Sequence, residues 1–322
     1  MAAYNSQDYI AEAIESVLIQ NYRNFELIVV DDGSTDRTAD IVRGFKDEHI
    51  KYFLKKHGGL ASTRNEQLRK SNGSFIVILD SDDIMTPDFL ARHLLEFQQH
   101  PETDMVYCDD LLIDENNKPI RIINRPEYQD VKMLIPDLFR CGFPVVPFRT
   151  CIRKTVFDKI GCYDEQLLVA EDYDMLRRFV RQGFKIHHLP AALYLRRIST
   201  KSHSRNYDAA RAKSQLEAVR RFADTFTPEQ LFPDVRWNDM PASQKLLLAK
   251  CRAAGVYMSI GAQYLKTNIS DYASAGFELG CAELDQCCKL EPSNQQIKTL
   301  REQSRSIRDK CLTSGRPAYQ QV

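Results

Sequence analysis

Long apolar runs are missing from this sequence. None reaches the roughly 18 residues that a membrane-spanning helix needs, and the first residues carry no secretory-leader pattern. The expected compartment is the cytoplasm, with peripheral contact at the inner face of the membrane left open. The nine cysteines include no C-x-x-C pair, and Cys287 and Cys288 are adjacent, an arrangement that suits reduced, buried thiols better than a disulfide framework. Excess charge is also absent. Lys+Arg and Asp+Glu both count 44, so bulk electrostatics give no reason to expect a nucleic-acid partner. What the chain does have is 43% hydrophobic residues, enough for a sizeable core, in 322 residues, a length comfortable for two domains.

The most informative stretch is Phe75-Ile76-Val77-Ile78-Leu79 followed by Asp80-Ser81-Asp82-Asp83. An unbroken apolar run rich in β-branched residues predicts a strand covered on both faces. Ligands bind just beyond the carboxyl ends of strands in open α/β sheets, and here that end carries three carboxylates. Groups so close repel one another and raise each other's pKa unless a cation intervenes, and oxygen donors of this kind suit Mg²⁺ or Mn²⁺. A solvated acidic turn capping the helix that Pro87 opens would give the same letters.

Before that stretch, Ile10, Ala13, Ile14, Val17 and Leu18 recur at helical spacing. Residues 25–30 predict a strand that ends in Asp31-Asp32-Gly33-Ser34, with a helix starting near Ser34 or Thr35. That acidic turn reads equally as a ligand site and as a helix cap. A short strand at 51–54 leads to Gly58-Gly59-Leu60-Ala61 and a helix whose first turns hold Arg64 and Asn65. Arg64 could address a phosphate or a carboxylate, or sit on the surface in water. Phe89, Leu90, Leu94 and Phe97 mark another helix. Alternating strands and helices predict parallel pairing and right-handed crossovers.

Past residue 100 the pattern is less regular. Strands are expected at 105–112 and 149–153 and helices at 132–140 and 173–182, with a turn at 116–119. Glu171 and Asp172 open the last of these helices, where the helix dipole alone is reason enough for acidic residues. From about Tyr207 only amphipathic helical stretches remain, at 209–222, 243–265, 272–290 and 293–309. The expected domains are 1–206, an α/β unit, and 207–322, an all-α region.

The pieces Tyr4-Asn5, Val29 to Asp36, Gly58 to Ala61 with Arg64-Asn65, Asp80 to Asp83, Gly161 to Asp164 and Glu171-Asp172 occur in one order over about 200 residues. In that order the chain resembles the inverting family 2 glycosyltransferases, nucleotide-sugar enzymes of GT-A fold. The resemblance implies a Rossmann-like mixed sheet flanked by helices, a UDP-sugar donor, and a glycan or lipid-linked saccharide as acceptor. It implies that Tyr4 and Asp32 hold the uracil, that Arg64 orients the nucleotide and acidic cluster, and that Asp80, Asp82 and Asp83 form the ribose and metal site. Asp172 would be the general base, and Glu171 would orient or bind the acceptor. Acceptor recognition is expected in the irregular stretch from about Arg125 to Pro147.

The sequence departs from the family in two places. Relatives open with an apolar strand before the Tyr-Asn pair, whereas only Met1-Ala2-Ala3 stand here. The first strand thus looks missing, a gap and an apolar slot are expected between the strands at 25–30 and 75–79, and the native start is expected upstream. Relatives also place a metal-binding histidine after an Arg-Ile pair. Ser199 stands there in this chain, which leaves His203 as the candidate ligand. The tail weakly resembles a tetratricopeptide repeat at Ile260-Gly261, Tyr264 and Leu290 to Asn294; a simple helical cap packing on the α/β unit is the first expectation, and a protein partner docking on its helices the second. The competing functional class is a binding or scaffold protein, catalytically impaired by the missing strand and acting through this tail.

Overall fold

The computed structural model describes residues 1–141, 150–199, 209–265 and 270–314. The chain divides into two compact units, Met1–Leu134 with Phe143–Ser202, and Ile135–Gly142 with His203–Val322.

The first unit opens with β1 (Ala2–Ala3), α1 (Ile10–Leu18), β2 (Leu27–Asp31), α2 (Thr38–Gly44), β3 (Ile50–Leu54) and α3 (Leu60–Lys70). β1, β2 and β3 pair in parallel, as the alternation of strand and helix requires. Helix α2 begins later than its sequence suggests, because residues before it form a turn. Asp36 accepts from the backbone N–H of Thr38 and, with its other oxygen, from that of Gln7. The apolar stripe of α1 is fully buried at Ile10, Ala13 and Ile14. Burying a side chain the size of isoleucine contributes about 1.5–3 kcal/mol, so this helix is held mainly by its packing face.

The remainder of the unit is a second sheet built from β4 (Phe75–Val77), β5 (Ile84–Met85), β6 (Met105–Ile113), β7 (Pro119–Ile123), β8 (Thr150–Arg153) and β9 (Ile186–Arg197). This is the mixed sheet that the resemblance implies, of order β4-β8-β6-β9-β5, with β7 added to β6. Only β6 and β9 run parallel, and the other pairs are antiparallel. Helices α4 (Phe89–Gln99), α6 (Lys154–Ile160) and α7 (Glu171–Gln182) complete the unit. Phe89, Phe97, Val106, Leu189, Leu193 and Tyr194 join the α1 stripe in one core.

The first strand is a two-residue stub. Ala2 and Ala3 pair with Val30 and Asp31, and Ala2 also bridges Asp80 in parallel. Below the stub the two sheets do not meet. A slot of about 420 Å³ separates Leu27 and Ile28 of β2 from Phe75, Val77 and Leu79, with Met1 at its upper end. The Met1 amine donates to the carbonyl of Ile28 at 2.7 Å, and burial lowers its pKa to about 5.

The second unit is helical. It takes in most of α5 (Leu134–Cys141), then α8 (Ala209–Thr225), α9 (Pro228–Leu231), α10 (Ala242–Leu265), α11 (Ser270–Leu290) and α12 (Gln295–Ser314). Phe139 of α5 stacks with Phe222 and meets Phe232 and Tyr257 edge to face. Helices α10 and α11 cross at a pair of glycines. A Cβ on Gly276 would lie 2.8 Å from the Gly261 Cα, so any larger residue would push the helices apart. No described helix is long and apolar enough to cross a membrane, and the described residues contain no disulfide.

Candidate active site

The stub, the carboxyl end of β2 and the loop after β4 are sewn together by short polar contacts. Asn5, at φ 50°, takes a hydrogen bond from Thr35 N–H and gives its own N–H to the Ser34 hydroxyl. Ser6 and Ser81 hydroxyls lie 2.8 Å apart. The Tyr-Asn, Asp-Asp-Gly-Ser and Asp-Ser-Asp-Asp segments, scattered in the sequence, therefore form one rim.

Asp31 and Asp32 have different jobs. Asp31 is fully buried and structural, accepting from Ser34 N–H and the Tyr52 hydroxyl, both at 2.8 Å. Asp32 points toward the rim, where it accepts from Lys55 Nζ at 2.6 Å and from the N–H groups of Gly58 and Gly59 at 2.9 Å. Burial works against its charge, but these three donors outweigh burial and hold its pKa below the usual carboxylate range. The imidazole of His57 reaches Asp32 at 2.9 Å, and its ring packs on Tyr4 at 4.4 Å. Lys55 and His57 are therefore parts of this corner that a motif reading passes over.

Asp80, Asp82 and Asp83 follow β4. Asp83 is buried, and its Oδ1 accepts the Arg197 N–H at 2.8 Å. The Arg197 guanidinium donates to the Asp82 carbonyl, Asn117 and Glu12 and lies 4.5 Å from the Tyr9 ring. Arg197 thus fixes both the backbone and a side chain of the acidic loop, a role its sequence context did not reveal. Burial, then the neighbouring charge of Asp80, raises Asp82 to about 6. Asp83 is likewise pushed well up, by burial and then by the charges of Asp82 and Asp80. One buried and one half-buried carboxylate that disfavour their own charge, offering only oxygen, are what a hard divalent cation neutralises, so the donor set fits Mg²⁺ or Mn²⁺.

Glu171 and Asp172 begin α7, after Ala170, which sits in the left-handed region at φ 64°. Arg64 joins the two acidic groups. Its Nη1 donates to Glu171 Oε1, and its Nη2 lies 3.3 Å from Asp80 Oδ1. It is a buried clamp rather than a surface arginine, 3% exposed, with its guanidinium 5.7 Å from the Tyr163 ring centre. Asn65 brackets the same loop, exchanging hydrogen bonds with Tyr163 N–H and C=O at 2.8 and 3.0 Å. Asp172 is buried beside this network and accepts from Tyr173 N–H. Desolvation, reinforced by the Glu171 charge, lifts its pKa to about 7 against the pull of Arg64. Burial here overrides the helix dipole.

The structure thus brings Asp32, Arg64, Asp80, Asp82, Asp83, Glu171 and Asp172 into one connected region with Tyr4 on its rim. His203 lies outside the described residues, as do residues 142–147 of the expected acceptor stretch. Ser199 is buried, and its hydroxyl donates to Glu115 at 3.0 Å.

Residues 1–160 match the family model described as Glycosyl transferase family 2. An uncharacterized glycosyltransferase of Rickettsia typhi is 32% identical over 180 residues, 55% of this chain and 56% of the relative. An uncharacterized glycosyltransferase of Haemophilus influenzae is 38% identical over 116 residues, 34% of this chain and 46% of that one. The matched part of the chain thus spans about half the length of these relatives. Among solved structures, S. aureus TarS (residues 1–349, in complex with UDP-GlcNAc) superimposes with a TM-score of 0.63 at 20% identity, covering 85% of this chain and 88% of TarS 1–349. The mannosyltransferase PcManGT of Pyrobaculum calidifontis, in complex with GDP-Man and Mn²⁺, gives 0.51 at 15% identity, covering 95% and 78%. At such identities the likeness is one of fold, the mixed α/β GT-A arrangement.

Proposed function

Because this chain belongs to glycosyltransferase family 2 through residues 1–160, we propose that it moves a sugar from a UDP-sugar to a hydroxyl of a glycan or lipid-linked acceptor, with inversion at the anomeric carbon. The observation that carries the proposal is the placing of a buried carboxylate with a pKa of about 7, Asp172, on the network that holds Asp80. A base poised near neutral pH beside a diphosphate-binding cluster is what a single displacement needs. The acceptor oxygen attacks the anomeric carbon, its proton passes to Asp172, and the bond from that carbon to the diphosphate oxygen breaks.

Other residues bind and orient. Tyr4 presents a ring to the base, and Asp32 offers acceptors for its N–H once Lys55 or His57 yields one. Asp80 faces the ribose, and Glu171, held by Arg64, keeps Asp172 aimed at the acceptor. A Mg²⁺ or Mn²⁺ ion held by Asp82 and Asp83, with His203 as a further ligand, would supply Lewis-acid neutralisation of the departing diphosphate. The helical unit is proposed as a docking surface for a protein partner. Work at the inner face of the membrane is compatible with a lipid-linked acceptor.

The test is a panel of nucleotide-sugars screened for Mn²⁺-dependent protection against thermal unfolding, since a ligand of the native state raises apparent stability by mass action. Protection by one UDP-sugar, lost on chelation, is expected. No protection by any nucleotide-sugar would turn the reading toward a non-catalytic protein acting through its helices.

A further inference from the structure

A second group of ligating side chains lies at the opposite end of β9 from the acidic cluster. Glu96 lies in the last turn of α4 and His100 directly follows the helix, its N–H bonding the Glu96 carbonyl at 2.8 Å, and His187 stands one residue inside β9. His187 Nε2 is 3.1 Å from Glu96 Oε2, and His100 Nε2 is 4.0 Å from the same oxygen. The two imidazoles stack with centroids 4.1 Å apart and planes 27° from parallel. One ligand atom from each of the three residues falls within 4.8 Å of the others. His187 pairs with Val106 at the start of β6, whereas Arg197, which holds Asp83, pairs with Ile113 at its end. Seven residues of strand put roughly 20 Å between the two groups.

From this convergence we propose that Glu96, His100 and His187 form a Zn²⁺ site separate from the nucleotide-sugar site. Two imidazole nitrogens and one carboxylate are a borderline donor set, which favours Zn²⁺ over the Mg²⁺ or Mn²⁺ suited to the all-oxygen cluster. Tetrahedral zinc with bonds of about 2.0–2.1 Å sets its ligand atoms about 3.3 Å apart. The Glu96–His187 distance is close to that value, and His100 has to draw in from 4.0 Å on the Glu96 side. Three protein ligands leave the fourth position to water. All three residues are partly exposed, so an ion can enter from solvent.

The frame around the group is braced. Beyond His100 the chain turns through Pro101 and Thr103, whose carbonyls both accept from the Arg153 guanidinium. Thr103 N–H in turn bonds the His100 carbonyl. Next to His187, Lys185 N–H bonds the Asp104 carboxylate, and its carbonyl accepts from Asp104 and Met105. Zinc there would pin the end of α4 to the start of β9, two segments far apart in sequence. Its effect would be to tie these two segments of the first unit together, with the fourth position left open to solvent.

The experiment titrates Zn²⁺ into the whole chain with Mg²⁺ in excess to occupy the oxygen cluster, reading heat and melting temperature. Glu96→Gln, His100→Gln and His187→Gln are compared with His203→Gln. One equivalent of Zn²⁺ should bind and raise the melting temperature. Each change within the triad should weaken binding by at least about tenfold, the loss typical even of supporting residues around a metal, and His203→Gln should leave it intact. Co²⁺ in the wild-type chain should give the intense visible absorption of a four-coordinate site, a readout that needs no variant. Absence of Zn²⁺ binding by the wild type, undiminished binding in the triad variants, or only weak six-coordinate Co²⁺ absorption would each overturn the proposal.

Discussion

Arg64 spans two acidic groups that lie far apart in sequence, with one guanidinium nitrogen on Glu171 and another 3.3 Å from Asp80. Burial disfavours its charge, but the carboxylates outweigh this and raise its pKa above the ordinary arginine value. Removing one partner from such a network leaves buried charge uncompensated, which typically costs about 3–5 kcal/mol. Arg64→Ala should lose stability of that order in denaturant unfolding. Arg64→Lys should fall between, since one ammonium cannot reproduce the fork. Arg64 also holds the Asp172 pKa down, so the acid limb of the rate profile should move to higher pH in Arg64→Lys. A stability within a few tenths of wild type in Arg64→Ala would deny the clamp.

Asp82 makes a prediction about pH. Its folded pKa of about 6 lies above the ordinary aspartate value, so the folded chain holds this proton more tightly than the unfolded one. Without a divalent cation the group therefore costs stability as pH rises from about 4 through 6, by on the order of 2 kcal/mol once fully ionised. Asp82→Asn should melt higher than the cation-free wild type at pH 7, with the gap closing toward pH 4. The same variant should lose Mn²⁺-dependent UDP binding. Unchanged affinity and metal dependence would put the cation elsewhere.

The slot between β2 and β4 suggests a test by addition. Five apolar, β-branched residues fused ahead of Met1 should pair with the free edges of Leu27–Val29 and Phe75–Leu79. The fusion also turns the buried Met1 amine into a peptide N–H. A melting temperature several degrees higher is expected, and a polar, glycine-rich extension of equal length should give no gain. Equal melting temperatures for the two fusions would mean that the sheet edges do not accept a strand.

Elements read correctly from sequence are those whose own side chains decide them. The stripe of α1 and the inward face of α7 at Leu176, Phe179 and Val180 carry their period in the letters, whereas the apolar run before Asp80 yields a strand only at Phe75–Val77, half-buried at Phe75 and Val77 where the slot opens. Strand β9 carries no such period. Pro190 and the His187-His188 pair interrupt its pattern, and its place is set by pairing with β6, some eighty residues earlier. The alternation before residue 100 foretells the parallel pairing of β2 and β3, but the mixed order of the second sheet has no local signature, since β8 lies between β4 and β6 and runs against both. At the site, the sequence named the carboxylates but not what holds them. Lys55 on Asp32 and Arg197 on Asp83 are long-range contacts with no local signature. The burial that lifts Asp172 to about 7 likewise exists only after folding.

Asp172 carries the central claim, and one pair of variants tests it directly. Asp172→Asn keeps the size of the side chain but removes the proton acceptor, while Glu171→Gln alters the residue that Arg64 holds. Transfer rate and UDP-sugar affinity are measured together for both, with the wild-type rate followed across pH. The wild-type rate should fall as pH drops below about 7, when Asp172 takes its proton. Asp172→Asn should lower kcat by about 10²–10⁴-fold with donor affinity nearly unchanged, as loss of a general base does, and Glu171→Gln should be milder. Near-normal turnover in Asp172→Asn would remove this residue from the mechanism, and a collapse confined to Glu171→Gln would move the base to its neighbour.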